Sequence, residues 1–148
     1  MKNLINCAFT AKKKILSIAA LLVVVAMTSV TFAQSSLQDL ANIINKESEE
    51  LGDTDYVASV RGNNFVLTTG MDESELNGLS VGEICKIIND GGDIMIQLML
   101  ADVMQNMDET DRMMVNYLRE NKINLIMHFI GKQSREEGEI VIRYDLLP

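Results

Sequence analysis

The sequence has no tryptophan, one histidine, one proline and two cysteines among its 148 residues. Each scarcity removes a class of explanation. The only proline is Pro148, so no internal element is kinked or ended by that residue. A single histidine, His128, leaves only one imidazole that could activate a nucleophile. The cysteines, Cys7 and Cys85, stand on either side of the one long apolar run, residues 15–27, which only Ser17 interrupts.

That run follows Lys2, Lys12, Lys13 and Lys14 and leads into Thr31-Phe32-Ala33, with no acidic residue before Asp39. A positive end, an apolar core and small side chains two apart are what export machinery reads. Residues 1–33 are therefore expected to be a cleavable signal peptide, and 34–148 one domain. The core is shorter than the ~20 apolar residues of a membrane span. A lipid anchor needs a cysteine just after the core, and none stands near Ala33. The expected location is secreted or periplasmic, with no stable membrane anchor after cleavage.

Positive charge is scarce beyond the signal. Residues 34–148 hold nine basic and twenty-one acidic residues, a formal charge of −12. Such a body is repelled by phosphate backbones and anionic lipid, which excludes nucleic acid as a partner. With Cys7 removed, Cys85 has no disulfide partner, and its apolar neighbours Ile84, Ile87 and Ile88 make it read as a small buried hydrophobe. About 115 residues suffice for one core.

What is present is strong periodicity. Leu37, Leu40, Ala41, Ile44, Ser48 and Leu51 fall on one helical face, with Ser36 as a candidate cap. Residues 56–61 and 64–69 are rich in β-branched and aromatic side chains, and Gly62-Asn63 between them predicts a hairpin turn. A loop is expected from Gly70 to Leu79. Ser80 and Glu83 form a capping box for a helix through Ile88. Gly91-Gly92 breaks it, Asp93 is placed to cap the next helix, and Ile96, Met99, Leu100, Val103, Met104 and Met107 make a stripe. Ile94, Met95 and Leu98 lie off that stripe as a second apolar patch. A further helix carries Met113, Met114, Tyr117 and Leu118. A second hairpin pairs Ile123, Leu125, Met127 and Phe129 with Ile140, Ile142, Tyr144 and Leu146. The expected fold is α+β: an antiparallel sheet of about four strands in two hairpins, with helices packed mainly on one face.

The signal ending Phe32-Ala33-Gln34 and the closing segment Gly138-Glu139-Ile140-Val141-Ile142-Arg143-Tyr144-Asp145-Leu146 complete a layout that resembles small secreted or periplasmic α+β domains of Gram-negative bacteria with no assigned function. The resemblance implies a location and a fold class and supplies no active site.

The candidate chemistries are few. His128 on a mixed strand face reads as a partly exposed residue, or as the base of a small hydrolase, with a Cys85–His128 pair as one arrangement. Asp53-Thr54-Asp55 and Asp72-Glu73-Ser74-Glu75 offer oxygen ligands without the spacing of a calcium loop. Eight methionines follow the signal, and their thioethers permit copper(I) handling, though their helical stripe reads first as core. No cofactor is expected. The leading reading is a non-enzymatic binding or interaction module whose contact patch is Ile94, Met95 and Leu98. Its partner is another protein or an envelope component.

Overall fold

In a computed structural model, residues 37–50, 56–104 and 109–148 are described. Residues 1–33, expected to be a signal peptide, lie outside them, as do the Ser36 cap, Leu51, the Asp53–Asp55 pair and Met107. Four helices and four strands follow one another as α1 (Leu37–Glu50), β1 (Tyr56–Arg61), β2 (Asn64–Met71), α2 (Val81–Asp90), α3 (Gly92–Met104), α4 (Glu109–Glu120), β3 (Asn124–Gly131) and β4 (Glu137–Ile142). Short 3-10 turns occupy Glu73–Glu75 and Tyr144–Leu146.

Both hairpins form. Gly62 takes a φ of 62°, the left-handed value its lack of a side chain permits, and Arg61 pairs with Asn64 across the turn. The sheet order is β1-β2-β3-β4. The sheet is mixed rather than wholly antiparallel, because β2 and β3, the inner strands of the two hairpins, run parallel, Thr68 beside His128. The physical reason is the connection: α2, α3 and α4 lie between these strands, and a multi-helix crossover can return the chain in the same direction.

Alternation divides the sheet. Ala58, Phe65, Leu67, Leu125, Met127, Phe129, Ile140 and Ile142 share one face and one core with Leu40 and Ile44 of α1, Ile84 and Cys85 of α2, Ile96 and Leu100 of α3, and Leu118 of α4. Gly138 lets α2 approach, since a Cβ there would stand 2.6 Å from Cys85 Sγ. The capping box is complete: Ser80 N–H donates to Glu83 (2.8 Å) and Glu83 N–H to Ser80 Oγ (3.2 Å). At the far end of the crossover, α4 closes in a Schellman turn, Ile123 N–H donating to Leu118 O with Lys122 at φ 55°.

Three sequence expectations change. β2 runs through Gly70 to Met71 instead of yielding to a loop at Gly70. The last strand stops at Ile142, because Arg143 forks onto Asp93 and Asp145 and the chain turns there, leaving Tyr144 and Leu146 in a 3-10 turn. Asp93 is thereby held by Arg143 within the first turn of α3.

The sheet edges are closed by asparagines. Asn45 of α1 donates to Ala58 O (2.7 Å) and accepts from Ala58 N–H (2.6 Å), standing in for a neighbouring strand at the edge of β1. Asn89 of α2 donates to Glu139 O on the edge of β4 (2.7 Å).

Candidate functional site

Helix α3 has two apolar sides. At 3.6 residues per turn, Ile96, Met99 and Leu100 face the core, and they are 5, 8 and 6% exposed. Ile94 and Leu98, one turn apart on the opposite side, are 73 and 64% exposed. Ala101 continues their stripe and Gln97 borders it, both exposed. Met95 sits between the two sides, half-buried and packed against the core, beside Gly91. The patch read from the sequence thus divides into two bare side chains and one that is partly engaged. Among the described residues, no helix is long and apolar enough to cross a membrane.

The face of the sheet opposite the helix-packed core carries polar chemistry that parallel pairing assembles. His128 Nδ1 lies 3.2 Å from Thr68 Oγ1, and its Nε2 lies 3.1 Å from Glu137 Oε2. The row hydroxyl–imidazole–carboxylate is that of a nucleophile, its base and an orienting acid. It is also ordinary cross-strand bonding between β2, β3 and β4. The Glu137 side chain is 64% exposed, so its carboxylate is solvated and not the buried orienter that holds such a base in place. Beside this row, Arg61 on β1 reaches Glu139 on β4 (2.7 Å). By the register, that bridge passes over Val66 and Ile126, which are buried on this face although they belong to no helix-covered core.

No protein-family model, curated protein or solved structure matches the chain. The candidate sites therefore stand on geometry alone.

Several sequence candidates are kept apart. Cys85 is buried against Gly138 on the helix-covered side, whereas His128 faces the other way, so the sheet separates that thiol from that imidazole. Met71, Met99, Met114 and Met127 are buried in the core. Met113 is exposed, and its place in the core is taken by Met114 and Val115. Among the described residues no three His, Cys, Asp or Glu side chains are placed to hold a metal.

The acids at 72 and 73 serve the fold. Asp72 accepts from Ser74 N–H and Oγ–H, and Glu73 accepts from the Gln133 and Ser134 N–H groups. These bonds lower both carboxyl pKa values, with Ser74 the main cause at Asp72 and the Ser134 side chain the main cause at Glu73. The segment Gly78-Leu79-Ser80-Val81-Gly82 has the Gly-x-Ser-x-Gly spacing of a nucleophile elbow, which corrects the expectation that the sequence contains no such pattern. An elbow requires a strand directly before the serine and a helix after it. Here turns precede Ser80, and its hydroxyl caps α2 while donating to Glu136.

Proposed function

We propose that residues 34–148 are a non-enzymatic binding module acting outside the inner membrane, secreted or periplasmic, with the bare side of α3 as its contact surface. The observation that carries this reading is the exposure of Ile94 and Leu98 on a helix whose opposite side is in the core. Adjacent exposed apolar side chains on an otherwise acidic body fit an interaction surface better than they fit stability.

Charge indicates the partner's class. A body of formal charge −12 repels its own copy, so the partner is a neutral or basic protein of the envelope or exterior, with an apolar cleft for the α3 stripe. Burying an isoleucine or leucine side chain contributes about 1.5–3 kcal/mol. Association costs about 4–15 kcal/mol in lost freedom. Two side chains supply about 3–6 kcal/mol, which covers only the low end of that range, so the proposed contact also takes in Ala101 and the polar border at Gln97.

The test is site-specific photo-crosslinking in cells making the full-length chain. A crosslinker at position 98 should give one dominant adduct with a second protein, and one at Lys86 should not. Adducts with a second copy, or equal labelling from both positions, would overturn the reading.

The Thr68–His128–Glu137 row favours one second reading, a small hydrolase in which His128 takes the Thr68 proton. Hydrolysis of p-nitrophenyl acetate lost alike in Thr68→Val and His128→Gln would support it. Equal background rates in all three proteins would dismiss it.

A further inference from the structure

We infer that the sheet face opposite the helix-packed core carries a second site, a groove that takes a small organic carboxylate with a short apolar tail. The groove has a volume of about 260 Å³ and lies at the end of the face where β2 and β3 outrun β1, lined by Val57, Thr68, Gly70, Ile130, Lys132 and Arg135. It is set apart from α3, which packs in the helix layer, and it goes beyond the reading given above.

Three observations specify the ligand. The first is charge: in a segment with only nine basic residues, two of them, Lys132 and Arg135, line this one groove. An anion approaching the rest of so acidic a surface is repelled, and here it meets a guanidinium fork suited to a carboxylate.

The second is preorganisation. Glu73 accepts from the backbone N–H of Gln133 (2.7 Å) and of Ser134 (3.1 Å), and Gln133 donates to Asp72 and accepts from Glu73 N–H. Lys132 N–H donates to Met71 O, and Arg135 takes a left-handed φ of 64° with its N–H on Gly131 O. The backbone of the loop bearing both cations is therefore fixed by its own hydrogen bonds, so binding need order only the two side chains and not the loop. Gly70 completes the arrangement. A Cβ there would lie 2.8 Å from Lys132 Cε, so the bare glycine leaves room for the lysine stem to lie across the strand as it does here.

The third is the wall chemistry. Val57, exposed on β1, and Ile130 on β3 give apolar sides, while Thr68 supplies a hydroxyl already engaged with His128. The volume falls just below the ~300–1,000 Å³ of drug-sized ligand sites, which selects a small acid.

The test uses protein made from the full-length chain and backbone NMR titration with hexanoate, acetate and inorganic phosphate as probes. Hexanoate should shift the Gly70, Gly131 and Arg135 amides saturably, with acetate and phosphate weaker because neither reaches the apolar walls. Arg135→Gln should weaken hexanoate about tenfold, the worth of one charge-assisted hydrogen bond. Lys86→Gln, a cation removed from α2 on the other side, should leave binding unchanged. The inference is overturned by no saturable shift up to about 20 mM hexanoate, a concentration that still detects very weak sites. It is equally overturned by unchanged binding in Arg135→Gln, or by acetate binding as tightly as hexanoate.

Discussion

On α3, side chains of the same kind meet opposite fates. Ile96 and Leu100 are within the core, and Ile94 and Leu98, two positions away from each, stand in solvent. Helical periodicity accounts for the first pair, since a 3.6-residue repeat directs one stripe inward. It does not account for isoleucine and leucine on the outer stripe, where the fold asks for polar residues. The contrast separates what this helix needs in order to fold from what it carries besides.

The largest expected effect breaks the pairing directly. Ile96→Ala should destabilise the protein by about 2–5 kcal/mol, and Ile94→Ala by under about 0.5 kcal/mol, because only the first leaves a cavity. Ile142→Ala, at the end of edge strand β4 but fully buried on the helix-covered face, should match Ile96→Ala. Urea melts of the three variants decide it, and similar losses for Ile94 and Ile96 would remove the distinction.

A smaller effect is expected where a polar side chain is structural. Asn45→Ala strips both partners from the Ala58 peptide groups and should cost about 1–3 kcal/mol. It also opens the edge of β1, so aggregation on storage should rise. A stable, monomeric Asn45→Ala variant would show that the edge is protected otherwise.

Arg61→Ala sharpens the comparison with the bare side of α3, because here an exposed side chain does have apolar residues to cover. The exposed Arg61–Glu139 pair is worth ~0–1 kcal/mol as a pair. The register carries the pair across the row of Val66 and Ile126, so if the arginine stem covers them, Arg61→Ala should destabilise more than Glu139→Gln, which keeps that stem.

Acid should act locally. The Glu73 and Asp72 carboxyls titrate below their ordinary values of 4.5 and 3.8 in the folded protein. A depressed folded value means their contribution is complete above the ordinary values and is lost as pH falls through the folded ones. The protection factors of the Gln133 and Ser134 amides, taken against intrinsic exchange at each pH, should therefore fall below about pH 4 while those of the core amides hold. Protection factors at 133 and 134 that stay constant with pH would sever the loop from Glu73.

The sequence made the covered half of the molecule legible. The inward set Phe65, Leu67, Leu125, Met127, Phe129, Ile140 and Ile142 follows from strand alternation, and the Ser80–Glu83 box from spacing. Gly62-Asn63 announces its turn by the same kind of local signal. What was not legible depends on pairing between distant segments. Thr68 meets His128 only because β2 and β3 are parallel neighbours, sixty residues apart in the chain, and no local pattern encodes that register. Lys132 and Arg135 read as part of a polar loop. The single available clue was Gly70, a glycine at the end of a strand pattern, which marks the close approach of another group. The patch on α3 was visible as apolar residues off the stripe, yet periodicity alone does not say that Met95 packs inward while Ile94 and Leu98 do not.

The central claim is that the outer stripe of α3 is there for a partner and not for the fold, and one variant tests both halves. Leu98→Glu, made in the full-length chain, is measured for melting in urea and for the protein adduct formed from a crosslinker at position 101. The account predicts a stability within about 0.5 kcal/mol of the native protein, as for a surface substitution, together with loss of the adduct. A Leu98→Glu protein that unfolds several kcal/mol more easily, or one that still forms the adduct in full yield, would contradict it.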